Sequence, residues 1–141
     1  MYFLSMLTKP DITDRSSVII LVDAFYEKIR SDDRLGPIFK QKIGDTWESH
    51  LETMYCFWES VLFRAGTFKG NPPLKHQWVH QETPLCPNDF EQWLHLFQET
   101  LEEQFEGPKA TFALRAAQDI ATVLQRKLGL TGPEAHLQFI T

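Results

Sequence analysis

Apolar residues recur at intervals of three and four along most of the chain, and this spacing predicts a series of α-helices with one buried face each. The first helix is predicted over residues 14–31. Its apolar positions lie on one face: Val18, Leu21, Val22, Phe25, Tyr26 and Ile29. Gly36 and Pro37 follow. Because proline disfavours a helical residue before it, we predict that helical structure ends ahead of this pair.

A second helix is predicted behind residues 45–48 (DTWE), which resemble a capping box with an acceptor first and a glutamate three positions later. Its apolar spacing continues to Gly66. The glycines and prolines of residues 66–73 predict a loop, with a short helical piece beginning at Pro73.

Two more helices are predicted over residues 87–105 and 109–128, with Gly107 and Pro108 between them. The last helix is expected to bury Phe112, Ala116, Ala117, Ile120 and Leu124. No stretch shows the sustained alternation of apolar and polar residues that is typical of a half-buried strand. The predicted fold class is therefore all-α.

The length of 141 residues suits one domain with a sizeable core. With no internal repeat and no linker, we expect an N-terminal extension at 1–13, a domain at 14–128 and a flexible tail at 129–141. Aromatic residues make up 13% of the chain. Large rings either fill a bulky core or line the site of a flat apolar ligand, and composition leaves both interpretations open.

Charge and hydropathy exclude some classes of partner. The net charge is −5 without any run of Lys or Arg, which argues against nucleic acid. The longest apolar run, residues 18–22, is far shorter than the about 20 residues that cross a bilayer, so we expect no membrane partner. We identify no signal peptide, and the two cysteines are not paired in sequence, which favours the cytoplasm.

Histidine and other polar residues on the apolar faces are the candidates for chemistry. His50 shares a helix face with Met54, Phe57 and Val61, as either a core histidine or a ligand or gate. His76 and His80 are four residues apart, a spacing that zinc also uses, although no third ligand is evident. Tyr26 and Trp93 are first interpreted as core residues. Spacing alone leaves these alternatives open.

Five blocks of residues, taken together, resemble the truncated haemoglobins of the third group, in that family's order and with similar gaps. The blocks are residues 25–30 (FYEKIR), 35–39 (LGPIF), 47–50 (WESH) with Phe57 and Trp58 behind, 70–72 (GNP) followed by 74–76 (LKH), and 90–97 (FEQWLHLF). Together they span much of residues 14–128, which makes the resemblance specific.

The resemblance implies a two-over-two helical sandwich around a b-type haem. The histidine after the GNP block would be the proximal iron ligand, which is His76 here. Tyr26, His50 and Trp93 match the polar residues of the family's distal pocket, and Phe39 matches the phenylalanine that packs on the haem. Further wall residues would be Met54, Phe57, Trp58 and Phe97. The motif for covalent haem attachment is absent, so the haem would be bound non-covalently.

Three features depart from the family pattern or compete with it. Pro73 stands where the family often has methionine, so the start of the short proximal helix is expected to differ. His80 is a rival to His76 for the iron, and His50 could itself coordinate iron when no ligand is bound.

The function implied by the resemblance is reversible binding of O2, CO and NO. An alternative is an enzyme that detoxifies NO or reacts with peroxide. It would need an external reductase, because the chain contains no flavin or nicotinamide motif. A third hypothesis is a haem-free helical interaction module.

Overall fold

A computed structural model describes residues 8–64 and 85–130 of the chain. Within these ranges the protein is all-helical and contains no strand. The helices are α1 (Arg15–Ser31), α2 (Leu35–Ile43), α3 (Trp47–Phe63), α4 (Pro87–Gln104) and α5 (Pro108–Lys127). The prediction of an all-α fold is confirmed. The predicted loop at 66–73, His76, His80 and residues 131–141 lie outside the described ranges.

Helix α1 follows the predicted pattern closely. Its six predicted apolar positions are all buried, and they form the centre of the core. Asp14 caps the helix, because its carboxylate accepts a hydrogen bond from the backbone N–H of Ser17 at 3.0 Å. The apolar period and the cap therefore agree on where this helix begins.

Helix α2 lies where the sequence predicted a break. Pro37 falls within the first turn, where its missing N–H costs nothing, so the helix can begin at Leu35. Gly36 allows the corner between α1 and α2 to be tight. A Cβ atom at this position would lie 2.7 Å from the carbonyl oxygen of Arg30.

Two details of the predicted helices are wrong. Helix α3 has Thr46 as its N-cap without a side-chain capping bond, and the Thr46 hydroxyl donates instead to the carbonyl of Ile43 at 2.6 Å. Phe112 is 48% exposed. The buried face of α5 is a stripe of small residues and one leucine: Ala110, Ala113, Ala117, Ala121 and Leu124. Of the predicted positions, Ala117 and Leu124 are buried and Ala116 and Ile120 are partly buried against the core, so the prediction fails for Phe112.

The helices pack around α1, which contacts α2, α3 and α4, while α5 packs on α4 and α3. The main core therefore lies where α1, α3 and α4 meet, and α5 closes it from the other side. None of the described helices is both long and apolar enough to cross a membrane.

The segment before α1 is packed against the C-terminal half of the protein. Ile12 is 1% exposed, and the carbonyl of Pro10 accepts from the N–H of Glu106 at 2.9 Å. Asp11 accepts from the N–H groups of Lys109 at 3.0 Å and Ala110 at 2.9 Å, so it caps α5 from far away in sequence. The described part of the predicted extension, residues 8–13, thus contributes to the core.

Candidate functional site

An aromatic cluster of Phe25, Trp58, Trp93 and Phe97 occupies the junction of α1, α3 and α4. Phe25 meets Trp93 and Phe97 edge to face, with ring centroids 5.6 and 5.2 Å apart. Phe97 stacks on Trp58 at 4.9 Å and on Trp93 at 6.0 Å. Edge-to-face and stacked contacts at these distances add to the stability of a core. The cluster therefore forms the inner wall of the site.

A pocket opens beside this cluster, between α2, α4 and α5. Its cavity volume is about 30 Å³, which is room for about one water molecule. Six of its described lining residues are apolar or aromatic and one is charged: Leu35, Phe39, Leu85, Phe90, Trp93, Leu124 and Asp89. We call this space the α2–α4 pocket. Its largely apolar lining favours contact with an apolar group.

Tyr26 and His50 bring polar atoms to the side of the core formed by α1 and α3. The Tyr26 ring lies 5.1 Å from the His50 ring, and the planes meet at 90°. Tyr26 is 6% exposed and Nε2 of His50 is buried. Burial raises the pKa of the Tyr26 hydroxyl far above its usual value. This hydroxyl therefore remains a neutral hydrogen-bond donor under ordinary conditions.

Tyr26 also lies beside an open groove. Its ring meets Phe39 of the α2–α4 pocket at 6.1 Å. It also lines an open groove between α1 and α3 with a volume of about 520 Å³. Trp47 lies in that groove 5.9 Å from Tyr26, and the Arg30 guanidinium lies 4.5 Å above the Trp47 ring.

The structure brings most of the predicted site residues into one connected set. Tyr26 contacts His50 and Phe39 directly, and Phe25 links it to Trp93 through ring contacts. The predicted wall residues belong to the aromatic cluster or pack against the same core: Met54, Phe57, Trp58 and Phe97. His76, the predicted iron ligand, lies outside the described residues.

Sequence reasoning missed two residues of this set. Phe25 connects Tyr26 with Trp93 and Phe97. Trp47 contacts both Tyr26 and His50, the latter at 5.9 Å. Trp47 is three residues before His50, so helical spacing alone places both on one face and was a usable signal for it. For Phe25 the pattern indicated a core position, without its role as a link.

Within residues 8–64 and 85–130, no cluster of three or more His, Cys, Asp or Glu side chains is arranged to hold a metal ion. The zinc alternative for His76 and His80 concerns residues outside these ranges.

Three comparisons with known proteins each find that this chain is similar to globins. A family model described as bacterial-like globin matches residues 11–125. A group 3 truncated haemoglobin from Campylobacter jejuni is 35% identical over 124 residues, which cover 85% of this chain and 94% of that protein. The crystal structure of a group III truncated haemoglobin from Campylobacter jejuni is similar with a TM-score of 0.80 and 33% identity, covering 89% of this chain and 99% of the other.

Proposed function

Because the chain belongs to the group III truncated haemoglobins, within the bacterial-like globins, we propose that it reversibly binds O2 and other diatomic ligands on a non-covalently held haem b. Haem-based ligand binding follows from the family. The choice of O2, CO and NO as ligands, of haem b as cofactor and of the residues below is our proposal.

The chemistry of the described residues suits a haem. A porphyrin is flat and largely apolar, and the lining of the α2–α4 pocket and the stacked pair Trp93 and Phe97 present apolar groups and ring faces. We propose that Phe39, Met54, Phe57, Trp58 and Phe97 contact the porphyrin. His76 would hold the iron, since an imidazole nitrogen is the usual proximal ligand in globins. When bound, the haem supplies an iron atom with an open position for a diatomic ligand.

The polar residues would decide how long the ligand stays. We propose that Tyr26, His50 and Trp93 face it from the distal side. A hydroxyl and an indole N–H both donate hydrogen bonds, and a polar diatomic ligand accepts them. The observation that carries this proposal is the burial of Tyr26 beside His50, because a hydroxyl that is largely shielded from water forms a stronger hydrogen bond to a ligand.

The same donors favour a second candidate function, an enzyme that consumes NO with bound O2 or reacts with peroxide. Several donors favour tight retention of the ligand and reactive chemistry over bulk delivery. Turnover would require an external reductase, because the chain has no flavin or nicotinamide motif. We place either activity in the cytoplasm. Slow O2 release together with rapid NO consumption by the oxygenated protein would favour the enzyme, and rapid release would favour the carrier.

His76→Ala, with His80→Ala as the matched control, tests the central proposal. We expect wild type and the His80 variant to show an intense Soret band after haem supplementation and the His76 variant to lose most haem affinity. The measurement is haem titration followed by absorption. Equal haem binding by the His76 variant would remove His76 as the ligand. A wild type without a Soret band would leave the haem-free interaction module as the better hypothesis.

Spectra of His50→Ala beside wild type decide whether His50 coordinates the iron in the unliganded state. Six-coordinate ferric and ferrous spectra in wild type that become five-coordinate in the variant would assign His50 that role.

A further inference from the structure

Asp89 is a buried carboxylate at the start of α4 that faces the α2–α4 pocket. It is 4% exposed, and the Arg34 guanidinium donates to its two oxygens from Nε at 2.8 Å and Nη2 at 3.1 Å. Asp89 also accepts from the backbone N–H of Cys86 at 2.9 Å, which completes the first turn of α4. A two-pronged pair of this kind fixes both distance and orientation.

The backbone at Arg34 is also held in place, by hydrogen bonds to Asp32. Asp32 ends α1, and its Oδ2 accepts from the N–H groups of Arg34 at 3.1 Å and Leu35 at 2.8 Å. Its Oδ1 accepts from the side-chain amide of Gln92 at 2.8 Å. Asp32, Arg34, Asp89 and Gln92 therefore form one polar clamp between the α1–α2 corner and the first two turns of α4.

The clamp joins the two walls of the pocket. Leu35 and Phe39 of α2 line one side, and Asp89 and Trp93 of α4 line the other. Trp93 follows Gln92 directly and lies one helical turn after Asp89, on the same face. We propose that Arg34 and Asp89 are positioning residues that set the direction of the Trp93 indole in this pocket, and thereby the strength of its hydrogen bond to the ligand. The ligand part rests on the proposed function.

An ion pair elsewhere between α1 and α4 provides a matched control. Lys28 of α1 contacts Glu99 at 2.9 Å and Glu103 at 3.0 Å, further along α4. Neither Lys28 nor these glutamates line the α2–α4 pocket. Lys28→Met thus removes a link between the same two helices without changing the pocket.

The first experiment needs no haem. With 5-fluorotryptophan at all tryptophans and the Trp93 signal assigned through Trp93→Phe, the fluorine spectrum reports the environment of each ring. We expect Arg34→Lys, which keeps the charge but loses the planar fork, to shift the Trp93 signal and leave the Trp47 and Trp58 signals nearly unchanged. Lys28→Met should leave Trp93 in place. An unmoved Trp93 signal in Arg34→Lys and Arg34→Met would overturn the proposal.

The second experiment uses the haem-loaded protein. We expect Arg34→Lys to move the C–O stretching frequency of the carbon monoxide complex and to change O2 dissociation by about tenfold or less, the effect of weakening one hydrogen bond. In a Trp93→Phe background the same substitution should have no further effect. An equal effect in that background would show that Arg34 does not act through Trp93.

A third variant separates positioning from folding. Arg34→Met leaves a buried carboxylate without its cation and can destabilise the protein as a whole. Arg34→Met with Asp89→Asn removes that charge, and we expect it to regain stability while Trp93 remains displaced. Recovery of the wild-type fluorine spectrum in the double variant would contradict the positioning role. A wild type that binds no haem would refute the proposed function and leave the fluorine result to decide the positioning role.

Discussion

Tyr26 illustrates how burial changes the chemistry of one residue. Its ring is surrounded by Phe25, Phe39, Trp47 and His50, and burial raises the pKa of its hydroxyl. Tyr55 is a useful contrast on α3. Burial and a hydrogen bond from its hydroxyl to Asp23 raise its pKa to about 12. Both tyrosines line the groove between α1 and α3, but the Tyr55 hydroxyl donates to a carboxylate, whereas Tyr26 is enclosed by rings.

Tyr26→Phe should raise the O2 dissociation rate of the haem-loaded protein by about tenfold, because one hydrogen bond to the ligand is lost. Tyr55→Phe is the control and should leave that rate within about twofold, because the hydrogen bond that it loses is made to Asp23 and not to the ligand. Stopped-flow displacement of O2 by CO measures both. Equal rates in wild type and Tyr26→Phe would remove Tyr26 from the ligand site.

Titration of Tyr26 predicts how the free energy of unfolding depends on pH. Because the pKa is raised in the folded state, the unfolded chain loses this proton first, at its ordinary pKa of 10.0. Below that pH this group adds no pH dependence to the free energy of unfolding. Above it, ionisation of the tyrosine in the unfolded chain lowers the free energy of unfolding. Urea denaturation of wild type and Tyr26→Phe between pH 8 and 11 tests this, and the variant should show a shallower decline.

For individual residues, the sequence pattern predicted burial better than it predicted chemical role. Periodicity placed Tyr26 and Trp93 on buried faces, and both contact the core in the structure. Nothing in the spacing distinguished a core tyrosine from a ligand-binding one, and only the five resembling blocks suggested that role. The partners of Asp89 were hidden for a physical reason, since its bond to Arg34 joins residues 55 positions apart.

At the scale of elements, the predicted helices were found wherever periodicity was long. The sequence pattern does not predict helix α2, because nine residues are too few to show a clear period and because Pro37 indicates the end of a helix. In a first turn, proline is tolerated, and the position of that turn depends on Asp32 bonding to backbone groups of the corner. The wrong prediction for Phe112 of α5 has a different origin, because the alanines of that helix allow close helix packing and leave this large ring at the edge of the buried face.

The cap that Asp11 provides to α5 should be measurable. We expect Asp11→Ala to lower the free energy of unfolding by about 1–2 kcal/mol, because two backbone N–H groups at the helix start lose their acceptor. Asp119→Ala, which changes an exposed aspartate on the same helix, should change it by less than about 0.5 kcal/mol. Urea denaturation at pH 7 provides the values, and equal effects would contradict the capping role.

The effect of Asp11 should also depend on pH. Burial by itself raises its pKa, but hydrogen bonds from the N–H groups of Lys109, Ile12 and Ala110 outweigh this and leave the pKa below 3.8. The stabilisation is therefore complete above pH 3.8 and is lost as the pH falls through the folded-state pKa. The difference between wild type and Asp11→Ala should narrow under those acidic conditions and remain constant at neutral pH.

At the scale of the whole molecule, the packing of the helices is the feature that the sequence pattern does not predict. The aromatic cluster joins three helices into one core and leaves the α2–α4 pocket beside it. The family resemblance implied a two-over-two helical sandwich, whereas periodicity gave no information about which helices touch. Contacts between distant segments depend on the shapes of several side chains at once, and a linear pattern does not encode them directly.

Haem loading should stabilise the whole protein. A ligand that binds the folded state alone adds about 2.7 kcal/mol to the free energy of unfolding at a hundredfold excess over its Kd. We expect urea denaturation of wild type to show this increase after haemin is added, and His76→Ala to show a much smaller one at the same haemin concentration. An equal increase in the variant would mean that the stabilisation does not depend on His76.

The bond between Asp11 and α5 also has a consequence for biosynthesis. Asp11 leaves the ribosome before its hydrogen-bond donors, the N–H groups of Lys109 and Ala110, which are 98 and 99 residues later in the chain. The segment before α1 therefore waits until α5 has been translated before it can dock. Until then Ile12, which is fully enclosed in the finished protein, stays accessible to chaperones and to neighbouring nascent chains.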